Sequence, residues 1–313
     1  MNESSPLHAV PAASGPPLDA TARVPSGTRA LVLGGGGSAG NAWLIGVVAG
    51  LAEAGLDVTG ADLVVGTSAG ATAATQITGA NPADLLTATL APPPPRPGPA
   101  ADRIAAAVAA HMDRMRRLIA AATGPDDLRR ALAAAAMDLD AGADGTRSAQ
   151  WRATVAARLP APDWPDRAVL LTAVDARTGE PVVLDRRSGV DLADAVAASC
   201  SSGPPHRVGG HRFIDGGFRR NDNADLAAGC ERVLVLSPLG GTTLTPPAWG
   251  MHLAAQTDEL RAAGSRVATV LPDDDARAAF GDSLMDPAAR PPSARAGHRQ
   301  GLALAEHLAE LWR

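Results

Sequence analysis

A serine on a glycine-flanked turn between a strand and a helix constrains this chain more than any other feature. Leu63-Val64-Val65 reads as a short buried strand, Gly66-Thr67-Ser68-Ala69-Gly70 follows it directly, and the Ala- and Thr-rich stretch to about Thr78 suits a helix. Strand, GxSxG, helix is the order of a nucleophile elbow. Its serine sits on a tight, strained turn with Oγ exposed, and the flanking glycines leave room for the sharp backbone. Upstream, Gly34 to Gly37 again lies between an apolar strand, about 29–33, and a helical stretch, about 41–54. This β-α-β-α order predicts parallel strands with helical crossovers, hence a three-layer α/β fold with a mainly parallel sheet and helices on both faces.

Residues 1–27 are rich in Pro, Ala, Ser and Gly and predict a disordered tail. No positive segment there precedes an apolar core, so no signal peptide is expected and the default location is the cytoplasm. Residues 28–313 are expected to form one domain, with its core at about 29–240. The proline-rich run 92–99 predicts a stiff extended linker. After it, Ile104, Val108, Met112, Met115, Ile119 and Ala122 recur at spacings of four and three, so one helical face is apolar. Two Ala- and Arg-rich helices, about 126–137 and 148–159, complete a helical insertion over about 100–160. Strands return at about 168–174, 181–184, 207–208, 211–214 and 232–236, with a helix at about 192–199. A C-terminal stretch, 241–313, adds helices at about 249–262 and 295–312 around a strand at about 265–271.

Composition removes several function classes. The net charge is −5, aromatics are 3% and there is no Tyr, so neither a basic patch nor a stacking platform for nucleic acid is expected. Cys200 and Cys230 lack CxxC or Cys/His spacing and read as small buried hydrophobes, not as a disulfide or a zinc site. Asp273-Asp274-Asp275 reads as a helix cap with first-turn charge, not as a metal cluster. Arg114, Arg116 and Arg117 read as the solvated side of the first insertion helix. No cofactor and no metal are expected.

Residues 35–40 fit GxGxxG, which can bring backbone close to a dinucleotide pyrophosphate. That use wants an acidic residue at the end of the second strand, where this chain has the Gly66–Gly70 turn instead. The same glycine amides fit an oxyanion hole better. Ser68 then needs a base. One candidate is a histidine of a Ser…Asp…His triad, drawn from His252, His298 and His307. The other is Asp215 in Phe213-Ile214-Asp215-Gly216-Gly217, at the end of a strand.

In this order, Gly35-Gly36-Gly37-Ser38-Ala39-Gly40, Gly66-Thr67-Ser68-Ala69-Gly70 and Asp215-Gly216-Gly217 resemble the patatin-like phospholipase family over about residues 29–240. The resemblance implies a Ser–Asp dyad, with Ser68 as nucleophile and Asp215 as base. Amides around Gly35, Gly36 and Gly37 would form the oxyanion hole, with Gly40, Gly66, Gly70, Gly216 and Gly217 supporting the turns. It implies hydrolysis of fatty-acyl esters of lipids without a metal, on a lipid or other acyl-ester substrate, with any membrane contact peripheral. Ala39 departs from the family, which usually carries Arg or Lys there, so neutral esters and thioesters gain weight. Two alternatives follow: a soluble carboxylesterase or thioesterase with the same dyad, and a non-catalytic lipid-binding protein of the same fold.

Overall fold

A computed structural model of the protein describes residues 28–92 and 100–313. The expected tail and all but the first residue of the proline-rich linker lie outside the described residues. The strands are β1 Arg29–Leu33, β2 Leu63–Gly66, β3 Ala168–Asp175, β4 Pro181–Leu184, β5 His206–Val208, β6 His211–Asp215, β7 Arg232–Leu236 and β8 Arg266–Val270. They form one sheet in the order β5-β6-β3-β2-β1-β7-β8, with β4 also paired to β3. The run β3-β2-β1-β7-β8 is parallel, and β4, β5 and β6 join antiparallel. The helices are α1 Gly37–Glu53, α2 Ala69–Gly79, α3 Pro82–Leu90, α4 Ala100–Ala121, α5 Pro125–Asp140, α6 Thr146–Ala156, α7 Leu192–Ser199, α8 Leu253–Ala262, α9 Asp274–Phe280 and α10 Arg290–Trp312.

Strand side chains alternate between two helical layers, as the pleat requires. Leu31, Leu33, Val64, Leu171 and Leu234 pack with Trp43, Val47, Ile77, Val196 and Trp312 from α1, α2, α7 and α10. Ala30, Val32, Leu63, Val65 and Val233 pack on the other side with Leu226, Leu253 and Leu260. The insertion makes a third cluster. Leu128, Leu132 and Ala136 of α5 cover Val174 and Ile214, with Met115 and Ile119 of α4 alongside. The insertion is also moored by polar contacts: His206 lies between Ser148 Oγ at 2.9 Å and Asp194 Oδ1 at 2.8 Å, and Arg207 pairs with Asp140 at 2.9 Å.

One topological detail positions the chemistry. A strand has two hydrogen-bonding edges. On β3, β4 occupies one edge over 171–174. β2 pairs over 168–171 and β6 over 173–175; each overlaps β4, so both must use the opposite edge. β2 runs parallel to β3 and β6 antiparallel. Their carboxyl ends therefore meet head-on beside Thr172, with Gly66 opposite Leu171 and Asp215 opposite Ala173.

Several helix limits differ from the sequence expectation, among them the start of α8, at Leu253 instead of about 249. α1 begins at Gly37 instead of about residue 41, because the glycine loop is already its first turn, fixed by Gly40 N–H donating to Gly36 O at 2.9 Å. α3 was unexpected, although Asn81 caps it by accepting from Ala83 N–H at 2.9 Å and Pro82 opens it. α10 begins at Arg290 instead of about 295, with Pro291 and Pro292 in its first turn, where a missing N–H costs nothing. The acidic run caps α9 as expected: Asp273 accepts from Ala276 N–H at 2.8 Å.

α1 and α10 meet through glycines, Gly46 and Gly50 on one and Gly297 and Gly301 on the other. A Cβ on Gly50 would strike the His298 carbonyl oxygen and lie 2.9 Å from the Leu302 nitrogen. Backbone cannot yield as a side-chain tip can. Gly50→Ala is therefore expected to destabilise the protein by about 1–3 kcal/mol despite alanine's better helix propensity. A urea titration comparing the midpoints of the two proteins checks this; an unchanged or higher midpoint would refute the tight contact.

Candidate active site

Ser68 directly precedes α2 and carries φ 52° and ψ −113°, one of two non-glycine residues with positive φ among the described residues. Such a conformation needs enforcement from its surroundings. The Thr67 N–H donates to Leu33 O at 3.0 Å, and the Ser68 N–H donates to Ser199 Oγ at 2.9 Å. Gly70 presses so close to the Leu33 carbonyl that a Cβ has no room, and a Cβ on Gly66 would lie 2.7 Å from Ala71 Cα. The elbow expected from sequence is thus held from both ends, and Ser68 remains half-exposed.

The Ser68 hydroxyl donates to Asp215 Oδ2 at 2.9 Å. Asp215 is 7% exposed, and its other oxygen accepts from the Gly217 N–H at 2.8 Å. Burial pushes the Asp215 carboxyl up to about 6, against the pull of the Gly217 amide and the Ser68 hydroxyl. A carboxylate with raised proton affinity, bonded to a hydroxyl, can take that hydroxyl's proton. Gly216 packs on the Thr172 backbone so tightly that no side chain fits.

Beneath the pair lies a buried polar knot. Asn223, the second residue with positive φ, donates through Nδ2 toward Thr67 Oγ1 at 2.9 Å, Thr172 Oγ1 at 3.2 Å and the Arg220 carbonyl at 2.6 Å. Thr172 Oγ1 donates to Thr67 Oγ1 at 3.1 Å. The knot joins the elbow, β3 and the Asp-Gly-Gly turn. Its two threonines lie 156 and 51 residues from Asn223 in sequence.

The glycine loop stands beside Ser68. Gly35 N–H donates to Asn221 O at 3.0 Å, so this amide is already engaged. Among the described residues, no intramolecular hydrogen bond occupies the amides of Gly36 and Gly37, which open α1. Free amides at a helix start favour negative charge. Gly37 has φ +64°, and Gly36 and Gly40 both pack on Pro238. Asp222 lies under Gly34 with Oδ1 buried and unpartnered, and burial pushes its carboxyl to about 6.

The histidines stand apart from Ser68. His252 Nε2 bonds to the Thr245 carbonyl and His298 Nε2 to Glu53, each at 2.9 Å, and His307 is exposed on α10. Both cysteines are free. Cys200 is pushed up to about 12 by burial and then by the Asp215 charge, and its thiol donates to Ser68 O at 3.1 Å. Arg114 is partly exposed on α4. It lines a cleft with His111, Met115, Leu132, Leu139 and Phe218, while Arg116 pairs with Asp113 on the exposed side. Ser202 and Gly203 also line this cleft, next to Ser201, whose carbonyl accepts the Asp215 N–H at 2.9 Å.

Comparison with solved structures finds VipD from Legionella pneumophila at 14% identity, covering 91% of this chain and 68% of that one, with a TM-score of 0.41. The type III effector protein ExoU shares 16% identity over 91% of this chain and 53% of its own, with a TM-score of 0.39. ExoU in complex with SpcU, from the type III secretion system of Pseudomonas aeruginosa, gives 17%, 93%, 54% and 0.35. The chain spans a little over half the length of ExoU. No curated protein matches the sequence. The sequence model of the patatin-like phospholipase family matches residues 31–228, a span that contains the glycine loop, the Ser68 elbow and Asp215. This chain belongs to the patatin-like phospholipase family.

Proposed function

We propose that this protein is a serine acyl hydrolase that cleaves fatty-acyl esters of lipids through Ser68 and Asp215. The observation that carries the reading is the 2.9 Å hydrogen bond from the Ser68 hydroxyl to a buried carboxylate whose proton affinity is raised. Family membership supports lipid acyl hydrolysis in general. Ionised Asp215 takes the Ser68 proton as Oγ attacks the ester carbonyl. The amides of Gly36 and Gly37 receive the oxyanion, while Gly35, tied to Asn221, shapes the turn. Asp215 then returns the proton to the leaving alcohol. Water, activated by the same carboxylate, releases the fatty acid from acyl-Ser68. A lost oxyanion donor is worth ~2.7–4 kcal/mol in such sites.

The cleft under the insertion supports an apolar tail, since Met115, Leu132, Leu139 and Phe218 line it. It encloses only about 20 Å³, room for roughly one water. Among the described residues, no helix is long and apolar enough to cross a membrane.

Intact mass after treatment with a fluorophosphonate probe tests the nucleophile. One adduct is expected on wild type and none on Ser68→Ala; folded wild type without an adduct would refute the reading. Activity against pH tests the base. The rate on an activated ester should rise with pH through about 6 as Asp215 ionises, and Asp215→Asn should lose at least 100-fold; a histidine variant with that loss and an active Asp215→Asn would overturn the dyad.

Stability should move the opposite way. The folded carboxyl keeps its proton to about 6, whereas the unfolded one loses it near 3.8, so Asp215's contribution falls as pH rises between those values. Asp215→Asn is expected to stabilise the inactive protein at pH 8 by on the order of 2–3 kcal/mol, and by little at pH 4. Thermal unfolding at the two pH values reads the difference; equal shifts would show that burial of the charge is not the cause.

A further inference from the structure

The stretch between α9 and α10 lies as a strap against the glycine loop. Near its middle the Leu284 carbonyl accepts from the Ala39 N–H at 2.9 Å. Beyond its far end Arg290 Nη1 donates to the Ser38 carbonyl at 3.0 Å and to Asn41 Oδ1 at 3.1 Å. Inside the strap the Asp286 N–H donates to the Ser283 carbonyl at 3.0 Å, which fixes a turn around Met285. Met285 Sδ and the Leu284 carbonyl oxygen each lie 2.9 Å from where a Cβ on Gly37 would stand. The thioether thus rests on Gly37, whose amide, like that of Gly36, has no intramolecular partner among the described residues.

Met285 is also open to solvent. It is 51% exposed, whereas Met251 is buried and Met112, Met115 and Met137 are half-buried. A peroxide reaches an exposed sulfur first, and oxidation turns an apolar thioether into a polar sulfoxide. The two states differ in what they offer the neighbouring amides. A thioether is a weak hydrogen-bond acceptor, so the reduced side chain leaves Gly36 and Gly37 free. A sulfoxide oxygen carries partial negative charge, which unfilled amides at a helix start favour. The strap already hands one acceptor to this turn, the Leu284 carbonyl on the Ala39 amide; the next residue would hand it a second.

We propose that Met285 is an oxidative modification site whose sulfoxide oxygen occupies the Gly36 and Gly37 amides and shuts the Ser68 site. This rests on the acyl-hydrolase reading, which gives those amides to the oxyanion, and adds a regulation to it. The sulfur lone pair attacks one oxygen of a hydroperoxide, the O–O bond breaks and an S–O bond forms. Sulfur gives up two electrons, and the rest of the peroxide leaves as water or an alcohol. Methionine sulfoxide reductase reverses the change: two thiols become a disulfide and the oxygen leaves as water. While oxidised, the side chain mimics the charge that the amides would otherwise receive from substrate.

The test treats the full-length protein and Met285→Leu with hydrogen peroxide and reads oxidation at each methionine by peptide mass. Hydrolysis of an activated ester is compared with each protein's own untreated rate. Wild type should lose about 100-fold in kcat/KM as Met285 gains one oxygen, the size of one oxyanion donor lost. Methionine sulfoxide reductase should restore it, and Met285→Leu should keep its own rate through the same treatment. Amide hydrogen exchange at Gly36 and Gly37, followed by NMR, should slow in oxidised wild type alone. Unchanged rate and unchanged exchange at full oxidation of Met285 overturn the site and leave the hydrolase reading standing. Slowed exchange with an unchanged rate, or an equal loss in Met285→Leu, overturns the shut-off. If untreated wild type hydrolyses no ester, exchange decides. Slowing confined to wild type keeps the sulfoxide contact while the hydrolase reading fails; no slowing removes both.

Discussion

The head-on meeting of two strands on one edge of β3 is the constraint on which the rest of the site depends. β2 delivers Ser68 from one direction and β6 delivers Asp215 from the other, with Thr172 in the gap. Strands are regular objects, so the separation of the two carboxyl ends is fixed by pairing register rather than by loop conformation. The knot of Thr67, Thr172 and Asn223 then locks that gap with buried hydrogen bonds. Rigid placement of a hydroxyl against a carboxylate needs this support, because the elbow itself is strained.

Burial does the electrostatic tuning. Apolar surroundings raise both Asp215 and Asp222 and put the Cys200 thiol out of the nucleophilic range. The neighbouring thiol therefore does not compete with the serine, although its sulfur touches the Ser68 backbone. On the outer side the balance reverses: half-buried Arg290 bonds to neutral oxygens and has no carboxylate partner among the described residues. A single small region thus holds a partly desolvated base and an excess of positive charge.

Much of this was legible in the sequence, because the informative signals are local. The apolar runs of β1 and β7, the Ser68 elbow and the Asp215 turn each carry their signature within five to seven residues. The start of α1 was misplaced because four glycines read as loop, whereas packing on Pro238 and the Ala39 amide bond to Leu284 O at 2.9 Å select helix. The start of α3 carries a capping Asn81 and a Pro82, residues that suit a helix start and a turn alike. Arg290 and His206 left no pattern at all. Their partners are brought close by topology alone, in the case of Arg290 from about 250 residues away.

The glycine seam between α1 and α10 bears on where the folded unit ends. The family match stops at residue 228, with every motif inside it. Yet α1, whose first turn is the glycine loop, lies against Ala294, His298 and Leu302 at backbone distance, and β8 completes the parallel sheet beyond β7. A fragment cut at the family boundary would retain the signature text and lose the wall that α1 leans on. In this protein the motif-bearing segment and the folding unit are different lengths of chain.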